Sequence, residues 1–172
     1  MVIYGNLAHF YTHYIENEDK AKEHFNLHKQ FLNNPTNKTQ QEIIAMKAYT
    51  LSYSFEYQEA AKNYEEAINN YNEDPPAEWV FGLAYVKHKQ DFGQIKNSDK
   101  SSKIEDLYRY SVRLDPNYYF AKLRLARILW ERHKIKKIDE IEELIDEVTE
   151  SNEKNNFILE EAASIYLSLI QI

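Results

Sequence analysis

The chain has 172 residues, a length suited to one domain or a short repeat array and ample for a buried core. It holds three Gly and four Pro, where average usage supplies roughly twelve and nine, and so few turn formers weigh against a β-sandwich or a glycine-rich phosphate loop. Cysteine is absent, which excludes disulfides, thiolate zinc sites and thiol nucleophiles, and the net charge of −7 is unevenly spread.

Apolar residues return every three or four positions along almost the whole chain, which predicts helices near 2–14, 18–33, 38–53, 56–71, 76–90, 101–113, 118–132, 138–150 and 154–171. Asn33-Asn34-Pro35, Glu73-Asp74-Pro75-Pro76 and Asp115-Pro116-Asn117 supply breaks, because Pro restricts the residue before it and can open the next helix. Residues 92–100 form the longest gap. After it, Ser101 or Ser102 offers an N-cap, with Glu105 completing a capping-box pattern. No apolar run approaches the roughly 18 residues of a membrane span. The N-terminus lacks the basic and apolar blocks of a signal peptide. With the missing cysteine, this points to the cytoplasm.

Residues 100–137 carry eleven Lys/Arg against four Asp/Glu, whereas 138–172 carry one against ten. A basic block of this kind draws a polyanion or is neutralised within the fold by the acidic helix beside it in sequence.

Serial amphipathic helices prompt a search for repeats. Ala8, Ala48, Gly82, Ala126 and Ala163 fill the small eighth place of a tetratricopeptide first helix. Tyr11, Leu51, Tyr85, Leu129 and Tyr166 follow three residues later. The expected architecture is all-α, a right-handed tetratricopeptide-repeat α-solenoid of about four helix pairs. Repeats fall near 1–34, 38–73, 76–116 and 118–152, with a closing helix at 154–171 that covers the last apolar face. The opening helix presents Ile3, Leu7, Phe10 and Tyr14 at helical spacing. Such a stripe points to self-association or a partner at that end.

More specific stretches accompany the frame. They are Val2-Ile-Tyr-Gly-Asn-Leu-Ala-His-Phe-Tyr-Thr-His-Tyr14, Phe55-Glu-Tyr-Gln-Glu-Ala-Ala-Lys-Asn-Tyr-Glu-Glu-Ala-Ile68, Gly82-Leu-Ala-Tyr85, Ser111-Val-Arg-Leu-Asp-Pro-Asn-Tyr-Tyr119 and Phe157-Ile-Leu-Glu-Glu-Ala-Ala163. In order and irregular spacing they resemble an internal piece of the interferon-induced proteins with tetratricopeptide repeats. That resemblance implies gripping of the 5′ end of foreign RNA in a basic channel, and so restraint of viral translation. It implies that Tyr57 and Phe157 occupy the family's aromatic positions. Lys89 stands where the family has a phosphate-binding Arg, and a lysine keeps the charge but not the bidentate fork. Leu51 stands in place of a Lys, and Glu160 and Glu161 in place of an Arg and a Tyr.

The repeat frame also places His9, Thr12, His13, Tyr49, Tyr53, Trp79, Lys87, Phe120, Arg127, Trp130, Phe157 and Glu160 along the groove. Aromatic rings beside Lys87, Lys89 and Arg127 suit stacking on unpaired bases or reception of a peptide. Alternatively, Trp79, Phe120 and Phe157 close the superhelix on itself. His9 with His13, and His24 with His28, have the i, i+4 spacing of a zinc pair but no assured third ligand, so no metal is expected. His88 and His133, set among lysines and arginines, read as solvated. The carboxylates of 139–153 alternate with Ile138, Ile141, Leu144, Ile145 and Val148, the pattern of a solvated helix face rather than an acid and base pair. Without catalytic motif or cofactor loop, the expected function is a non-catalytic binding module that sequesters RNA 5′ ends. The alternative is a scaffold for a peptide or another helical-repeat protein.

Overall fold

The computed structural model describes residues 38–91, 99–150 and 156–170. The first repeat, the two histidine pairs and the opening stripe of Ile3, Leu7, Phe10 and Tyr14 lie outside the described residues. The chain divides into two compact units between Glu73 and Asp74, and each is taken by itself.

In the first unit, α1 (Gln40–Tyr53) packs on α2 (Tyr57–Asn69). A capping box fixes the start of α1: the Glu42 N–H donates to Thr39 Oγ1 at 3.2 Å, and the Thr39 N–H donates to Glu42 Oε2 at 2.7 Å. The other end closes in a Schellman arrangement, with Glu56 N–H donating to the Leu51 carbonyl and Phe55 N–H to that of Ser52. This turn needs a left-handed residue, and Phe55 supplies it at φ 61 with its ring mostly exposed. The buried face is largely alanine, Ala45, Ala48, Ala60, Ala61 and Ala67, which lets the two helices approach closely around Tyr64.

The second unit holds α3 (Ala77–Gln90), α4 (Asp99–Leu114), α5 (Tyr119–His133), a 3-10 turn at Lys134–Lys137, α6 (Ile138–Thr149) and α7 (Asn156–Ile170). Helix α3 packs on α4, α4 on α5, α5 on α6, and α7 against both α5 and α6. Each described helix begins and ends within two residues of the span read from periodicity. Ile104, Tyr108, Leu123, Ile128, Leu129, Ile141, Ile145, Ile158 and Ile165 form one core across α4 to α7. Ser111 Oγ donates to the Ala77 carbonyl at 2.8 Å and ties α4 to the start of α3.

The basic block meets its acids inside this unit. Glu105, nearly buried on α4, accepts from Arg109 Nε at 3.0 Å, lies 3.0 Å from His133 Nε2 and pairs with Arg132. Arg109 also pairs with Glu140 on α6, which takes Lys137 Nζ at 3.0 Å. Lys122, buried on α5, pairs with Glu147. Burial pushes the Glu105 carboxyl up, but hydrogen bonds from His133 and Arg109 and the charges of Arg109 and Arg132 outweigh it and hold the group below the ordinary carboxylate value. The Arg109 hydrogen bond, against a burial penalty, does the same for Glu140 with help from Lys137.

Two expectations are corrected. Helix α4 already runs at Asp99, so Ser101 and Ser102 lie inside it, and Glu105 is engaged by cations rather than by a Ser102 cap. His88 is not solvated. It is 7% exposed, with Nδ1 3.3 Å from the Tyr108 hydroxyl and Nε2 3.3 Å from Glu131 Oε2, the latter off the hydrogen-bond direction. His133 keeps partial exposure but is paired with Glu105.

Ala48 and Ala126 are both 0% exposed. Ala48→Leu and Ala126→Leu should each lose roughly 1–3 kcal/mol or more by overpacking. Chemical denaturation with unchanged midpoints for both would mean the repeat frame is misplaced. Glu105→Gln should cost about 2–4 kcal/mol, because it strips the acid from Arg132, whose Nε is already enclosed without an acceptor. Glu59→Gln, at the exposed Lys62 pair, should stay within about 0.5 kcal/mol. Carboxyls held low in the fold stabilise fully above their unfolded value near 4.5 and lose that contribution as pH falls through their depressed folded values. An acid titration of stability should therefore drop below pH 4.5, and the drop should be shallower in Glu105→Gln. Identical acid limbs would refute the assignment.

Candidate functional site

The sequence-read groove residues fall on both units. In the first, Tyr49 and Tyr53 are one turn apart on α1. Their rings meet edge to face at 4.7 Å, and the Tyr53 hydroxyl donates to that of Tyr49 at 2.9 Å. Burial pushes the Tyr49 phenol up, partly offset by that hydrogen bond. Tyr57 opens α2, with its ring 6.0 Å from that of Phe55 in an edge contact. The two line an open hollow of about 300 Å³ with Glu56, Gln58, Glu59 and Lys62. Leu51 is half-buried on α1.

In the second unit, Lys89 and Arg127 come together in one charged cluster with two residues that the groove list missed, Tyr85 and Arg124. Lys89 Nζ lies 5.5 Å from the centre of the Tyr85 ring, and the Arg124 guanidinium 5.9 Å from the same ring. Such distances fit cation–π contact. Glu161 on α7, with its side chain 16% exposed, bridges the two arginines: Oε1 lies 3.3 Å from Arg124 Nη1 and accepts from Arg127 Nε at 2.9 Å. Arg127 Nη2 reaches Ser164 Oγ at 3.4 Å. The Lys89 side chain is exposed overall, but its ammonium is lowered by partial burial and by Arg124 and Arg127, against which Glu161 pulls upward. Three cations and one acid thus share a patch of surface whose ring face is aromatic.

The remaining positions lie elsewhere. Trp79 is half-buried in the first turn of α3, ten residues before Lys89 and so about 15 Å away along the axis at ~1.5 Å per residue. Lys87 is half-buried in the last turn of α3. Trp130 and Phe120 pack against the core, and Lys134 Nζ sits 4.6 Å over the Trp130 ring. The backbone of Phe157 lies in the first turn of α7, and its side chain is outside the described residues. Glu160 is exposed. A signal for the cluster existed in the spacings Tyr85-x3-Lys89 and Arg124-x2-Arg127, each of which puts two residues on one helix face.

No protein-family model matches the chain, and no curated protein matches it. Solved structures do. One, a human IFIT1 dimer with m7Gppp-AAAA, is similar at a TM-score of 0.64 and 22% identity over 96% of this chain. Another, a human IFIT1 dimer with PPP-AAAA, is similar at 0.61 and 22% identity over 96% of this chain. The chain spans 37% of the first IFIT1 chain and 38% of the second. The likeness is one of fold, and it agrees with the family resemblance carried by the sequence motifs: the chain has the all-α tetratricopeptide-repeat solenoid fold of human IFIT1.

Proposed function

We propose that the chain is a non-catalytic RNA-binding module that sequesters single-stranded 5′ ends, acting in cytoplasmic antiviral defence. It would do so as a repeat array, with units near 38–73, 76–116 and 118–152, a first unit at 1–34 and a closing helix at 154–171. The observation that carries the reading is the cluster of Lys89 and Arg124 over the Tyr85 ring, with Arg127 joined to Arg124 through Glu161. Cations beside an aromatic face suit a strand whose phosphates need charge and whose unpaired bases need a stacking surface. Tyr49, Tyr53 and Tyr57 supply further rings, and Trp79, Lys87, Trp130 and Phe157 complete the candidate set. The RNA in the two IFIT1 structures gives the same ligand class on the same fold.

A second reading, a protein-interaction scaffold, has its own observation. Helix α7 buries Ile158, Ala162, Ile165 and Leu169 but leaves Leu159 and Leu167 41% and 59% exposed on its outer side, with Ala163 exposed between them. An amphipathic helix of a partner suits such a stripe.

Titration with a labelled eight-nucleotide RNA bearing a 5′-hydroxyl should give binding in the roughly 1–100 µM range. Arg127→Gln should weaken it at least about fivefold, the loss of one charge-assisted phosphate contact. Equal affinity of parent and variant would remove Arg127 from the site. No binding at 100 µM or above would hand the case to the scaffold reading.

A further inference from the structure

Glu161 Oε1 is shared between two guanidiniums, 3.3 Å from Arg124 Nη1 and 2.9 Å from Arg127 Nε. Arg127 offers it both Nε and Nη2 at 2.9 Å, and an oxygen set between two guanidiniums is an arrangement that a phosphate oxygen takes in an anion site. The carboxylate is largely enclosed, at 16% side-chain exposure. It projects from a different helix than either arginine, so it is carried to them by the docking of α7 on α5. Across the cluster the balance is three cations against one acid. Lys89 feels both arginines as repulsive neighbours, with Glu161 as the acid opposing them. An incoming polyphosphate would have to displace Glu161 or lie against it, and in either case loses charge complementarity.

We propose that Glu161 is a built-in counter-ion that holds the place of a phosphate between Arg124 and Arg127, so that this groove turns away polyphosphate ends and accepts RNA ends carrying little charge. This rests on the RNA reading given above, but the anion site itself does not. Specificity arises here from a repulsive element set beside an attractive one. Neutralising the acid while keeping its shape removes the carboxylate charge that sits between Arg124 and Arg127.

The experiment compares the full chain with Glu161→Gln and with the double variant Glu161→Gln, Arg127→Gln. Each is titrated with matched short RNAs bearing 5′-hydroxyl or 5′-triphosphate, and each is melted with and without inorganic tripolyphosphate. The parent should bind 5′-hydroxyl RNA at least about threefold more tightly than triphosphate RNA, and Glu161→Gln should reverse the order and prefer triphosphate by at least about tenfold. Tripolyphosphate should raise the melting midpoint of Glu161→Gln by several degrees, leave the parent unchanged, and lose its effect in the double variant. If Glu161→Gln folds poorly alone, recovery of folding by tripolyphosphate is the same result. A parent that already prefers triphosphate as strongly as the variant overturns the inference while leaving the RNA reading in place. So does a variant whose midpoint ignores tripolyphosphate. If neither protein binds RNA but the variant alone responds to tripolyphosphate, the counter-ion assignment stands and the RNA reading fails.

Discussion

Helix α5 is the constraint on which the second unit depends. It touches α4, α6 and α7, and it carries Lys122, Arg124, Arg127 and Arg132 along with Leu123, Leu125, Ile128 and Leu129 at the core. A basic helix enclosed in this way cannot leave its charges to water, so each neighbour contributes an acid. Helix α4 brings Glu105 to Arg132, α6 brings Glu147 to Lys122, and α7 brings Glu161 to Arg124 and Arg127. Removing an acid from such a pair leaves an uncompensated enclosed charge, which is far costlier than losing a surface pair.

The same device gives two outcomes. At Glu105, Arg109, Arg132 and His133 converge on one carboxylate, and Arg109 is shared with Glu140. That cluster is a structural joint between α4, α5 and α6. At Glu161 the acid is outnumbered by Arg124 and Arg127, and the surplus charge lies beside the Tyr85 ring. Most of the basic block is thereby spent inside the fold, and what is left for a ligand is small and local. This also reconciles an RNA-binding reading with a net charge of −7, because the field near the groove is set by neighbours within about 10 Å and not by the total.

The helices were legible because burial imposes a 3.6-residue period, and their ends were legible where Pro interrupts it. Lateral partners were not. Lysines around residue 88 suggested solvent, yet Val80, Ala84 and His88 are spaced four apart on the buried face of α3, a signal that period alone contained. The Ser102 to Glu105 pattern looked like a cap, whereas the box that forms is Thr39 with Glu42. Local spacing cannot say which acidic residue a distant arginine will claim. The left-handed Phe55 was unreadable for a related reason: the position usually takes glycine, and only the closing hydrogen bonds of α1 show that a phenylalanine holds it. Within the candidate site, Lys89 and Arg127 were named from the repeat frame and the resemblance. Arg124 and the pairing of Glu161 needed the packing of α7 on α5.

The central claim is that the basic block is largely neutralised within the fold, with Lys100, Arg109, Lys122, Arg124, Arg127, Arg132 and Lys137 each held by an acid, so that few of its cations are left for a polyanion. The salt dependence of affinity for a single-stranded RNA counts those cations directly, since each neutralised phosphate contributes a slope of roughly −0.7 in log K against log salt. A slope of about −2, the value for roughly three neutralised phosphates, is the expected result. A slope near −7, the value for about ten available cations, would contradict the account, because it would require paired residues such as Arg109, Lys122, Arg127 and Arg132 to leave their acids for the RNA.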